Sequence, residues 1–239
     1  GLMSIGKASM DGDEHLGLHG RISALAANDV QIHRTWKGEH YIIKLSGWMR
    51  EAKLYQPTLT LHRTIQCQAG SSTLRIQDTL TNMSYRRSPW MLLYHFNFGF
   101  PLLSPESILQ IDHEDMEPLD EVAQHDITSW NIIQEPQLKY QQRCYLHRLR
   151  DQGDGYGCLT LFNPSLEGGF GIQMRVKLDT LPILTQWKNL MAGEYVMGLE
   201  PSNVPLEPRG ESRTKGRLTY LEPWEERSME IELSIVTSV

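Results

Sequence analysis

The sequence predicts an all-β protein, a large antiparallel β sandwich forming one domain over residues 1–239. Three observations predict it. Several segments alternate apolar and polar side chains with period two, the mark of half-buried strands. Turn chemistry separates them, as at Ala69-Gly70-Ser71-Ser72 and Asp154-Gly155. No segment carries a helical pattern longer than about three turns, and neither an internal repeat nor a linker marks a second domain.

Taken in order, Gly1–Gly17 is rich in Gly and Asp and carries little pattern. In Leu16-Gly17-Leu18-His19-Gly20-Arg21 two glycines bracket a histidine. Such a segment is either a turn with exposed polar residues or a close backbone approach to a ligand. Tyr41–Trp48 reads as a strand. Thr58–Cys67 puts Leu59, Leu61, Ile65 and Cys67 on one face, and Leu74, Ile76 and Leu80 continue the alternation to Asn82, so the two form a hairpin. Trp90–Pro101 reads as one central strand, with His95 and Asn97 on the same side. Residues 104–141 are acidic and irregular, with a strand near Ile108–Ile111 and a short helix or long loop at Asp120–Trp130. Strands return at Arg143–Arg150, Gly157–Asn163, Phe170–Leu178, Ile183–Lys188, Tyr195–Pro201, Gly216–Leu221 and Arg227–Val236.

Composition narrows the function. The net charge of −6 and the lack of a basic stripe argue against a nucleic-acid partner. Three cysteines without a Cys-x-x-Cys pair suggest no disulfide framework, and a reducing cytoplasm is the expected location. No apolar run approaches the roughly 20 residues of a membrane span, and no signal-peptide pattern is read at the start. The nine histidines contain no His-x-His pair. The acidic run Asp112-His113-Glu114-Asp115 reads as a solvated loop rather than a cation site, so no metal is expected. Gly-x-Ser-x-Gly, Gly-x-Gly-x-x-Gly and P-loop patterns are missing.

Three places combine reactive groups with strand-like or glycine-rich context: His19 with Arg21, His95 with Asn97, and Glu200 before Pro201. A carboxyl at the end of an apolar strand is partly desolvated, which raises its pKa toward that of a useful base. A hydrogen-bonded core histidine and an exposed strand-end acid are the structural alternatives, and the residues alone leave both open.

Leu18-His19-Gly20-Arg21, Tyr94-His95-Phe96-Asn97-Phe98-Gly99, Gln186-Trp187-Lys188 and Gly198-Leu199-Glu200-Pro201, in that order, resemble the aldose 1-epimerase (galactose mutarotase-like) superfamily. The resemblance covers nearly the whole chain and is closest to the branch carrying the domain of unknown function 4432. It implies a β supersandwich and a cofactor-free isomerase that interconverts the anomers of a monosaccharide or modified aldose. It implies His95 as general acid and Glu200 as general base. It implies His19 and Arg21 as sugar-holding residues and Trp187 as a stacking platform, with Asn97, Lys188 and His147 as further substrate contacts. Arg21 and Lys188 also allow an anionic sugar.

The chain departs from that family in two ways. Only seventeen residues precede Leu18, where members carry several more strands, so a truncated N-terminus is expected. A sheet edge bared in this way would be covered by a second copy, giving a homodimer. The family's acidic sugar contact is also not identified; Gln141, Gln142 and His147 lie where it would be sought. The alternatives are a non-catalytic carbohydrate-binding sandwich and an inactive truncated homologue. Convergence of His95 and Glu200 across a cleft with a gap suited to a pyranose favours the enzyme; a wide separation or opposite faces count against it.

Overall fold

The computed structural model of the chain, which describes residues 1–238, is all-β as expected, with long antiparallel strands and two short α-helices. The chain falls into two units: Gly1–Leu93 with Ser202–Glu232, and Tyr94–Pro201 with the residues from Leu233 onward.

The first unit opens on a small hairpin, β1 (Ser9–Asp11) and β2 (Glu14–Leu16). Four long strands follow: β3 (Asn28–Lys37), β4 (His40–Glu51), β5 (Leu59–Gln68) and β6 (Thr73–Asn82), each antiparallel to the next. The predicted alternation holds: Leu61 pairs with Leu80 and Ile65 with Ile76, so these apolar residues share a face. On that face the buried Asp78 accepts from Arg63 Nε at 2.9 Å and Nη2 at 2.6 Å, a paired charge where an unpaired one would be costly. Strand β3 gives no sequence signal of burial because all ten of its residues are exposed. The short β7 (Ser88–Trp90) ends this part.

The second unit holds β8 (Phe96–Gly99), β9 (Ile108–Ile111), β10 (His113–Pro118), α1 (Glu121–His125), β11 (Arg143–Leu149), β12 (Tyr156–Asn163), β13 (Phe170–Lys177), β14 (Ile183–Asn189) and β15 (Val196–Ser202, its last residue counted with the first unit). Five of these strands form one sheet in the order β10-β11-β14-β15-β8. Strands β9, β12 and β13 form a second antiparallel set. Helix α1 starts where Asp120 Oδ1 accepts from the Ala123 N–H at 2.7 Å, satisfying an N–H that the helix leaves unpaired.

The chain then completes the first unit with α2 (Arg209–Thr214), β16 (Thr219–Leu221), which pairs with β7, and β17 (Glu226–Val236, its residues from Leu233 counted with the second unit), which follows β6. Ile5, Met91, Leu93, Val204 and Leu218 form a core cluster of this unit.

One expectation is corrected. Trp90–Pro101 is not a single central strand. Residues 91–95 make only isolated bridges, at Met91 and Leu93, and β8 lies at the edge of its sheet. The stretch is apolar because Met91–Tyr94 are buried as connecting chain, not because they form a ladder.

Strand parity divides the side chains of β14 between the two faces of the five-stranded sheet. Leu184, Gln186 and Lys188 point to one face, and Thr185 and Trp187 to the other. The register with β11 opposes His147 to Leu184, Tyr145 to Gln186 and Leu146 to Thr185.

Candidate active site

Strand β15 supplies the centre of the site. Gly198 pairs with Asn97 on β8. A Cβ at Gly198 would stand 2.5 Å from Glu200 Oε1, 3.2 Å from His95 Cε1 and 3.3 Å from Trp187 Cβ. The missing side chain is therefore the space in which three groups meet, and Gly198, Glu200 and Trp187 share one face of the sheet. There His95 Nε2 lies 3.0 Å from Glu200 Oε1. Glu200 is 2% exposed, whereas the His95 side chain is 34% exposed. The carboxyl is at the bottom and the imidazole nearer solvent.

Burial dominates the electrostatics. It pushes the Glu200 carboxyl up to about 8. Burial also lowers the His95 imidazole below its ordinary value, against a hydrogen bond that it donates to Asn97, which raises it. Each charged form alone is disfavoured by desolvation. The pair therefore holds one proton across neutral pH and titrates as a unit.

Trp187 is half-buried beside this pair, its ring edge-on to His95 with centroids 5.9 Å apart. Its Nε1–H donates to Gln142 Oε1 at 3.0 Å, which orients the indole. Gln142 thus serves the site through the tryptophan. Asn97 is exposed and bonds His95.

His147 and Lys188 are not brought to this group. Both are wholly buried on the opposite face of the sheet. There Gln186 Nε2 donates to the Trp130 carbonyl at 2.9 Å, which turns Gln186 Oε1 toward His147 Nε2 at 3.1 Å. His147 Nε2 must then carry the hydrogen, and its Nδ1 accepts from His113 Nδ1–H at 3.1 Å. The chain of donors runs one way and holds His147 neutral; burial lowers its pKa to about 3. Trp130 packs edge-on against both His113 and His147. Lys188 Nζ donates to the Ser129 carbonyl at 2.9 Å, and burial lowers its pKa to about 8.

His19 and Arg21 belong to the first unit. The segment is a turn: His19 has φ 52°, its N–H donates to the Gly6 carbonyl at 2.9 Å, and its Nδ1 accepts from the Gly6 N–H at 3.4 Å. Arg21 lies 3.3 Å from Glu14 and 3.7 Å from Glu51. No group of three or more metal-ligating side chains stands together among the described residues, and His15 and His19, four apart, are not on a helix. No helix among the described residues is long and apolar enough to cross a membrane.

Thr185 stands in no sequence motif. It lies on the face of Glu200, is wholly buried, and its hydroxyl has no hydrogen-bond partner. Its signal is parity: two residues before Trp187 in a strand, it must share the indole's face.

The model of a family described as a domain of unknown function (DUF4432) matches residues 1–235. No curated protein matches significantly. Among solved structures, a candidate aldose 1-epimerase from Klebsiella pneumoniae aligns over 99% of this chain with a TM-score of 0.92 and 21% identity, and the chain spans 62% of that protein. A galactose mutarotase-like protein from Clostridium acetobutylicum aligns over 99% of this chain and 78% of its own, with a TM-score of 0.68 and 13% identity. A GalM/aldose epimerase homologue from C. elegans aligns over 99% and 79%, with a TM-score of 0.61 and 11% identity. At these identities the likeness establishes the fold, the galactose mutarotase-like β supersandwich.

Proposed function

The chain belongs to the DUF4432 family, and from that premise we propose that it is a cofactor-free aldose 1-epimerase, exchanging the α and β anomers of a monosaccharide by acid–base ring opening. The observation that carries the reading is the contact of His95 Nε2 with the buried Glu200 Oε1 at 3.0 Å. In ring opening, one proton leaves the anomeric hydroxyl and one arrives at the ring oxygen. Both oxygens are bonded to the same carbon. An acid and a base that serve them must therefore lie near one another, and the two sugar oxygens replace the direct contact of His95 with Glu200 when the ring enters.

Glu200, ionised, takes the proton of the anomeric hydroxyl while protonated His95 gives one to the ring oxygen. The ring opens to the aldehyde, the bond from C1 to C2 rotates, and the steps reverse onto the other face. Burial makes Glu200 a stronger base than an exposed carboxylate. Trp187, fixed by Gln142, offers its ring to the C–H face of the sugar. Asn97 is exposed beside His95 and reaches a hydroxyl. Lys188 is committed to Ser129 on the other face, which removes one of the two cations that would favour an anionic sugar. The sugar-holding roles of His19 and Arg21 rest on the family resemblance alone. A binding module without turnover would keep Trp187 but have no need for a desolvated acid–base contact.

The test is anomer exchange on a panel of aldoses, followed by polarimetry or NMR exchange spectroscopy in wild type, Glu200→Gln and His95→Asn. Exchange in wild type and its loss in both variants is the expected result; equal exchange in all three sinks the reading. The active pair carries one proton. The profile of kcat/KM therefore falls above about pH 8, where Glu200 leaves the pair without a proton to give. It falls again on the acid side, below the ordinary imidazole pKa, where a second proton occupies the base.

A further inference from the structure

Thr185 is a buried group that the acid–base scheme does not use. It sits in β14 between Leu184 and Gln186 and is wholly buried, as they are. Its Oγ1 has no hydrogen-bond partner. Burying a hydroxyl without a partner costs free energy that a valine of the same shape would avoid. The orphan hydroxyl therefore calls for a reason, and its position supplies one.

Strands β14 and β15 are neighbours in the sheet, joined by the short connection 190–195. A Cβ at Gly198 would lie 3.3 Å from Trp187 Cβ, so these two residues are opposite each other. In an antiparallel pair, two steps back from Trp187 and two steps on from Gly198 bring Thr185 opposite Glu200, on the same face. Facing cross-strand side chains start about 5 Å apart at Cβ, within reach of a hydroxyl and a carboxyl. On its other side Thr185 is opposed by Leu146, which offers no acceptor.

We propose that Thr185 is a positioning residue for the base: its hydroxyl donates to the Glu200 carboxylate once that carboxylate has lost its proton. The inference rests on the acid–base reading for its purpose, but not for its geometry. A protonated carboxyl whose oxygen faces His95 gives Thr185 no charge to bond. The ionised one does, and a hydroxyl rotates to meet it without moving the strand. Thr185 would then stabilise the base at the moment it forms, in a site from which water is excluded.

The experiment follows the Glu200 carboxyl directly, in the absence of sugar. The carbonyl band of the protonated acid is recorded by difference infrared spectroscopy between about pH 6 and about pH 10 and assigned by its disappearance in Glu200→Gln. Removing a hydrogen bond to the ionised form raises the midpoint. Thr185→Val is expected to shift it upward by roughly one pH unit, and Thr185→Ser to leave it near wild type. An unmoved midpoint in Thr185→Val overturns the proposal; Thr185→Ala is read by the same criterion if the valine variant does not fold. Anomer exchange measured on the same proteins separates the two claims. A shifted band with no exchange in any variant upholds the Thr185 contact and sinks the epimerase reading. Exchange in wild type with an unshifted band does the reverse.

Discussion

The two faces of the five-stranded sheet carry similar residue types to opposite ends. On one face His95 meets Glu200, with Trp187, Asn97 and Thr185 around them. On the other His147 meets Gln186, with Lys188, Trp130 and His113 around them. Both have a buried polar strand residue against an imidazole at about 3 Å. The difference lies in satisfaction. The second face runs a complete one-way chain from His113 to the Trp130 carbonyl, so every donor in it has an acceptor. Burial shifts titrating groups against their charged forms on both faces, but on the first a carboxyl acid touches an imidazole base, Glu200 with His95, beside a hydroxyl with nothing to bond. A polar group buried and satisfied is architecture; one buried and poised to change its proton is chemistry.

That contrast breaks most readily at Glu200. Glu200→Gln keeps the shape and the contact to His95 but removes the base. Anomer exchange should fall about 10²–10⁴-fold, measured by polarimetry, with unchanged circular dichroism. A variant that still exchanges at the wild-type rate would put the two faces on the same footing.

Gly198→Ala is the next test. The added methyl would enter the space where Glu200, His95 and Trp187 meet, at separations that no real Cβ tolerates for the nearest atom. The Glu200 carboxyl, the far end of a flexible side chain, must swing from its place against His95. Activity should drop at least 10-fold, and stability by about 1–3 kcal/mol from overpacking. Wild-type exchange in this variant would mean that the acid–base contact is not used.

How much of this was legible depends on the same parity. Strands β5, β6 and β17 are visible in the sequence because one face is apolar and the other polar. β3 is not, because none of its residues is buried. His95, Glu200 and Trp187 stand out as motif residues. Lys188 stands out beside Trp187, yet adjacent residues in a strand point to opposite faces, so the two could not both reach one site. His147 needed the register with Leu184 to reveal its side. The meeting of His95 with Glu200 depends on the β8–β15 pairing, which local pattern does not encode. Trp90–Pro101 misleads because a buried connection and a buried strand are equally apolar.

The second face should answer mutation with stability alone. His147→Ala removes the middle of the chain, leaving Gln186 Oε1 and His113 Nδ1 without their partner and a void between them. The cost is about 2–4 kcal/mol, read from urea unfolding, with exchange per folded molecule unchanged. A loss of turnover without a loss of stability would instead join His147 to the active face.

Lys188→Met sharpens the comparison by its sign. Burial lowers the folded pKa of Lys188 from 10.5 to about 8. Above about pH 10.5 the side chain is neutral in both states and burial of charge costs nothing. As pH falls from there to about 8, the unfolded chain takes up its proton first, and the fold loses stability. Below about 8 both states are charged and the penalty is constant, about 3 kcal/mol. Methionine fills similar volume and removes that penalty, at the loss of one hydrogen bond to Ser129, worth about 1 kcal/mol. The variant should therefore be more stable than wild type by about 2 kcal/mol at neutral pH. The gain should shrink as pH rises above about 8 and reverse shortly before about pH 10.5, where the remaining penalty falls below the worth of the lost hydrogen bond. Unfolding midpoints across that range check the prediction. A variant less stable at pH 7 would show that the ammonium is compensated where it sits, and that the second face, too, is built around a charge.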